Sequence, residues 1–355
     1  MFEKMIDFLL ENACVNIRYM VNRDFMNISV NESFMKGMQE EILEQKKVQK
    51  IFAAQHDDGW FGYELHGGPG NAMDSSVAFL LMYGVEPSNE RMQKAKNALL
   101  DPEISSKHKN YMPGGNALDA DGRGGNRAIT AGIVATLRED ESNPIIADEI
   151  NLALKHFNGA LSHESIDDFT TVTTGKAKAR YYKPNALFPG ANHISILAET
   201  SVWRTSENIA MITASVKHCI DLMKDVTQFP TFKKRPPYGS SFVGPFNFDW
   251  HAFNVKDLKR FANDTNRFRY VFWMRTLKEF GKLSIANEIP IAKQQYLMLA
   301  DLLETDRLYN DLPENSKTEY RLMSIEPKWH KEINKRCDIY FNTLKSIYNS
   351  GIYTK

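Results

Sequence analysis

The stretch that most constrains this chain runs Gln55-His56-Asp57-Asp58-Gly59-Trp60-Phe61-Gly62-Tyr63-Glu64-Leu65-His66-Gly67-Gly68. Before it, over 33–55, Met35, Met38, Ile42, Val48, Ile51 and Phe52 recur in a charged background at roughly helical spacing. After it, an apolar run over 75–83 stops at Gly84, a residue suited to the left-handed position that ends a helix. A tight turn carrying carboxylates, histidines and aromatics therefore sits at one end of a helical hairpin. A hairpin with one apolar stripe cannot bury it alone and must pack against neighbours.

The same rhythm continues along the chain. Pro87-Ser88 opens a helix with Ser88 as N-cap, and Asn143-Pro144 opens another with Asn143 as cap and Pro144 in the first turn. Hairpins are thus expected at 74–100 and 127–158. Ile209, Ile212, Val216, Cys219, Ile220 and Met223 form a later stripe. Residues 268–280 read as apolar almost all round. Ile289, Ala292, Tyr296, Leu299, Ala300 and Leu303 form the next stripe, and a last one, opened by Pro327, runs from Trp329 through Cys337 and Phe341 to Ile347. Strand signals are short, as at 169–174. These signals predict an all-α chain of about 10–12 helices, paired in units of roughly 50–60 residues. Pro/Gly-rich interruptions at 111–126 and 230–248, with a polar one at 162–190 read as a lid, predict long loops on one rim. Long loops favour a closed ring of hairpins over an open stack. No composition shift divides 1–355, so a single α/α-toroid domain is expected.

Composition narrows the function classes. Lys+Arg and Asp+Glu both number 44, and zero net charge removes the footprint of a general nucleic-acid binder. The three cysteines, Cys14, Cys219 and Cys337, are sparse and odd in number, which fits a reducing compartment. No spacing suggests a zinc site, and neither metal nor cofactor is expected. Charges interrupt the N-terminal 21 residues, so no secretory leader is read there. No apolar run approaches the roughly 20 residues of a membrane span. The expectation is a cytoplasmic, bacterial-type protein with a small-molecule ligand; its oligomeric state is left open.

The segment from Val48 through Gln55, Gly59, Trp60 and Gly62 resembles the repeat of prenyltransferase and squalene-cyclase α/α toroids, the terpenoid cyclase-like helical repeats. In that repeat a helix ends in Gln, followed by an Asp/Gly turn, an aromatic and Gly. The close match covers about 50 residues, and Leu80, Leu81, Gly84-Val85 and the helix over 91–100 continue it. The signature has a physical basis. Gln55 can bond the turn backbone, Gly59 permits a left-handed turn and Trp60 packs over the hairpin. Gly59→Val is accordingly expected to damage folding. The resemblance implies the fold and an isoprenoid-like ligand. The chain departs from the cyclases, whose acid is Asp-x-Asp-Asp: here the nearest string is Asp119-Ala120-Asp121-Gly122. It departs from the protein prenyltransferases in lacking a cysteine counterpart for their zinc.

Candidate chemistry gathers on the loops. His66, between aromatics and two glycines, is the expected acid–base group, with Asp57 or Asp58 as its partner and Trp60 as a wall. The alternatives are a loop-bonded histidine and an Asx turn at the aspartates. Asp121 and Arg123 lie in a glycine-rich run that can cradle an anion or serve as a plain rim loop. His193, Trp203 and Arg204 suggest a stacking platform with an anion clamp, or a snorkelling arginine over a half-buried ring. Trp250 and His251 close the segment of highest aromatic density. Together these predict an axial, aromatic-lined cavity using acid–base chemistry on an isoprenoid-like or saccharide substrate. The alternative is a toroid that binds or scaffolds without catalysis.

Overall fold

The computed structural model describes residues 2–108, 115–120, 122–173, 179–226, 230, 248–263 and 269–353. Within them the chain is mostly helical. Twelve helices have nine residues or more: α1 Glu3–Asn12, α2 Val15–Asp24, α3 Ser33–Leu43, α4 Met73–Met82, α5 Glu90–Leu100, α6 Asn126–Thr136, α7 Pro144–Ala160, α8 Ala191–Glu199, α9 Ser206–Met223, α10 Tyr270–Gly281, α11 Pro290–Glu304 and α12 Glu332–Asn349. Six more α-helices of four to seven residues raise the count above that expected, because so short a segment carries no readable periodicity. The paired strands among the described residues are Thr170–Val172 and Arg180–Tyr182, antiparallel and inside the 162–190 interruption, where the weak strand signal lay. A separate extended segment, Glu64–Pro69, packs on α4.

The connections alternate in length. Those after α2, α4, α6, α8 and α10 cover 25–32, 83–89, 137–143, 200–205 and 282–289, six to eight residues each. Those leading into α4, α6, α8, α10 and α12 are far longer; the one before α10 spans 224–269. The even-numbered helices contact one another in succession: α4 with α6, α6 with α8, α8 with α10, α10 with α12, and α12 with α2. Among the odd-numbered helices, α7 packs against both α6 and α8, and α11 and α1 pack against α12. Between α2 and α4 the gap is bridged by polar bonds. Asn16 Nδ2 donates to Tyr83 O at 2.7 Å, and Arg23 pairs with Glu86 at 2.5 Å. Ten of the 18 residues of α12 are buried, as its position among α1, α2, α10 and α11 requires.

Local signals explain most helix ends. Gly84 has φ +84° and its N–H bonds Leu81 O, closing α4. Asn143 accepts from Ile145 N and Pro144 opens α7. The cap of α5 is Asn89 rather than Ser88, since the Asn89 side chain reaches Arg91 N. Residues after Pro327 form turns, and α12 starts at Glu332, so Trp329 lies in the preceding loop. The segment 268–280 reads as apolar almost all round, yet α10 carries Arg275, Lys278 and Glu279 at three- and four-residue spacing, beside the buried Val271, Met274 and Leu277.

The turn after Phe52 takes the expected form. Gln55 Nε2 donates to Gly59 O at 2.9 Å and to Arg91 O at 2.8 Å, so one amide fastens the turn to α5. Gly59 has φ +93°, and Trp60 is fully buried, stacked on His108 with ring centroids 4.4 Å apart.

Candidate functional site

Residues of the six even-numbered helices line a cavity of about 480 Å³. Its acids are Asp24, Asp74, Glu199 and Glu279; its bases are Arg23, Arg138, Lys278, Lys282 and Lys345. Each of α2, α4, α8, α10 and α12 contributes charge, and α6 supplies Gly132 and Thr136. From Asp74 in the first turn of α4 to Met82 in its last, the lining extends roughly 12 Å along the helix axis.

The face of α10 toward the cavity presents Lys278, Glu279 and Lys282. Lys282 pairs with Glu199 and lies 3.8 Å from Glu279. Burial drives the Glu279 carboxyl upward, but Lys282, a hydrogen bond from Ser195 and Arg275 outweigh it and hold it ionised. Lys345 pairs with Asp24 at 2.7 Å, and Arg23 reaches the same carboxylate at 2.6 Å. Burial raises the Asp24 pKa, yet these cations bring it down to about 2. Lys278 differs. Its Nζ donates to Asn342 Oδ1 at 3.3 Å and, among the described residues, makes no ion pair. Burial, then repulsion from Lys345 and Lys282, lower it to about 7.

His66 stands beside this cavity. Its Nδ1 lies 2.5 Å from Oδ2 of Asp74, a lining residue, and Asp74 is fixed in turn by Ser75 N at 2.5 Å and Gly67 N at 3.3 Å. The hydrogen bond to Asp74 raises the His66 pKa, so the imidazole holds its proton to higher pH and is set up to donate it. The expected partners lie elsewhere. Asp57 is exposed, and Asp58 makes an Asx turn, accepting from Trp60 N at 3.0 Å, with its other oxygen 3.1 Å from His108 Nε2.

The remaining expected site residues do not join this lining. Arg123 is buried, donates to Ala186 O at 2.6 Å and lies over the Tyr182 ring. His193 stacks on His156 with centroids 4.1 Å apart. Its Nδ1 accepts from Gly190 N and its Nε2 donates to Gly122 O, while burial lowers it to about 4. Trp203 Nε1 donates to Leu197 O at 2.9 Å, and Arg204 donates to Lys282 O and Leu283 O just past α10. Trp250 packs on Phe248, and His251 Nε2 donates to Met223 O at 2.6 Å. Asp121 and the aromatics Tyr238, Phe242 and Phe246 lie outside the described residues. Of the cavity's lining, Phe341 is the one aromatic among the described residues.

Sequence reasoning passed over Asp74, Lys278, Glu279 and the Asp24–Lys345 pair. The signal for the α10 residues was present: a charged 3-4 stripe within an otherwise apolar helix. Among the described residues no group of three or more His, Cys, Asp or Glu side chains is placed to hold a metal ion, and no helix is long and apolar enough to cross a membrane. Compared with known protein families, with curated proteins and with solved structures, the chain has no match.

Proposed function

We propose that this chain is an α/α toroid, built like the prenyltransferase and squalene-cyclase proteins its first repeat resembles. Its hub cavity binds a small polar ligand of the saccharide class and works on it by acid–base chemistry. The ring reading is supported by the alternation of short and long connections and by the return of α12 to α1 and α2. One observation carries the ligand reading: nine charged side chains line one cavity against a single aromatic among the described residues. Charge suits hydroxyl and carboxylate groups, while the apolar residues between them, such as Val77, Leu81 and Ile133, suit the C–H faces of a sugar; an isoprenoid chain would have to desolvate those charges without bonding them. His66 is the acid, Asp74 positions it, and Glu279 is a carboxylate available as the base. The charge balance and the three free cysteines fit a cytoplasmic protein.

The test is turnover and calorimetric binding with a panel of mono- and disaccharides, uronates included. His66→Ala and Asp74→Asn are expected to lower turnover roughly 100-fold or more, with the melting temperature nearly unchanged. A fall of several degrees in His66→Ala would make the histidine structural. A second reading, a binding toroid without catalysis, is favoured by the internal pairing of Lys282 with Glu199 and of Lys345 with Asp24. It is distinguished by saccharide binding without turnover.

A further inference from the structure

Three lysines face the hub cavity, and they are not equivalent. Lys282 and Lys345 are each held by a carboxylate, which occupies their protons. Lys278 lies between them in electrostatic terms: both repel it, burial and this repulsion outweigh the attraction of Glu279 and Asp24, and its Nζ donates to the neutral Asn342 amide. It therefore offers a nitrogen lone pair near neutral pH inside the cavity, beside Lys282 and Lys345, which are each paired with a carboxylate. Arg138, exposed at the edge of the same lining and without an ion pair among the described residues, adds a cation for a ligand's anionic group.

We propose that Lys278 is a covalent binding site: its Nζ forms an imine with the carbonyl carbon of a small oxo acid whose carboxylate is held by the surrounding cations. The inference rests on the hub cavity being the ligand site, and it narrows the ligand to one that presents a carbonyl, as an open-chain sugar acid does. The chemistry is self-contained. The Nζ lone pair forms a C–N bond, the C=O π pair moves to oxygen, and a proton passes from nitrogen to that oxygen. The resulting hydroxyl then leaves as water, taking the second nitrogen-bound proton, and the C=N bond forms. No oxidant or reductant is consumed.

The probe is glyoxylate with cyanoborohydride, applied to the full chain and read by mass spectrometry. The expected product carries one carboxymethyl group on Lys278. It is seen as a tryptic peptide covering 276–282 that is no longer cut after Lys278. Near pH 7 the amine fraction makes Lys278 react roughly 100-fold or more faster than an ordinary surface lysine, and its rate levels off above about pH 7, where surface lysines keep rising toward about pH 10. Lys278→Arg removes this adduct and no other. Labelling spread over surface lysines with no preference for Lys278, or a Lys278 rate that climbs as theirs do, overturns the proposal. The wild-type pH profile decides this even if the variant folds poorly. Selective labelling without saccharide binding would overturn the saccharide reading alone, and saccharide binding without selective labelling would overturn this inference alone.

Discussion

Gly62→Val is expected to destabilise the chain by roughly 4 kcal/mol or more, close to the whole stability of many domains. Two independent costs combine. Gly62 has φ +65°, a region a β-branched residue resists. A Cβ built there would also lie 2.2 Å from the backbone carbonyl of Asn71, so backbone rather than a flexible side-chain tip must move. That carbonyl accepts from Tyr63 N at 2.8 Å, and the Gly62 N–H bonds Ala54 O at 3.0 Å. The displacement would therefore loosen both the end of the preceding helix and the segment that sets His66 against Asp74. Gly59→Val should act similarly, since its Cβ would meet Lys94 O at 2.5 Å. Gly68→Val is the control: a Cβ there meets nothing within 4 Å. Urea denaturation followed by circular dichroism gives the comparison. A Gly62→Val midpoint matching that of Gly68→Val would refute the turn geometry.

Asp24→Ala is expected to cost about 3 kcal/mol at neutral pH, because it strands the partly buried Lys345 and leaves Arg23 to Glu86 alone. Asp24 receives Lys345 at 2.7 Å and Arg23 at 2.6 Å, and so joins α12 to α2. Its pKa is brought down to about 2 in the folded chain, from the 3.8 of a free aspartate. A depressed carboxylate contributes stability in full above its unfolded pKa and loses it as pH falls through the folded one. The deficit of Asp24→Ala relative to wild type should hold from neutrality down to about pH 4 and shrink toward pH 2. Asp24→Asn should show the same pH dependence, which separates charge from packing. A deficit that does not vary with pH would mean that the pair holds no charge-dependent stability.

How much of this was legible in the sequence differs by level. The core stripes of α9 and α11 and the caps at Gly84 and Asn143 could be read directly, because 3.6-residue periodicity and cap chemistry are local. The turn from Gln55 to Gly62 was legible for the same reason. The cavity was not. Asp24, Asp74, Glu199, Lys278 and Lys345 come from five helices spread over most of the chain, and each looks in isolation like an ordinary solvated charge. Only the packing of α2, α4, α8, α10 and α12 brings them together. Asp74 was within reach, eight residues beyond His66. Asp57 and Asp58 drew the assignment because they flank the turn, where carboxylates more often serve the backbone. The dense aromatics around Trp250 suggested a ligand wall; among the described ones, Phe248 lies on the Trp250 and Phe253 rings within the fold. Phe169, Phe188 and Trp250 pack on other rings within the fold, with Phe169 stacked on Phe188 at 4.2 Å.

The claim on which the rest depends is that the charged hollow among the six even-numbered helices is where a ligand sits. Crystals of the chain soaked in a short uronate-containing saccharide test it most directly. The account predicts sugar density within hydrogen-bonding distance of Asp74, Glu279 and Lys278, and its loss in Glu279→Gln. Sugar found only on the outer loops, with Lys282–Glu199 and Lys345–Asp24 still closed across a cavity filled by water alone, would contradict it.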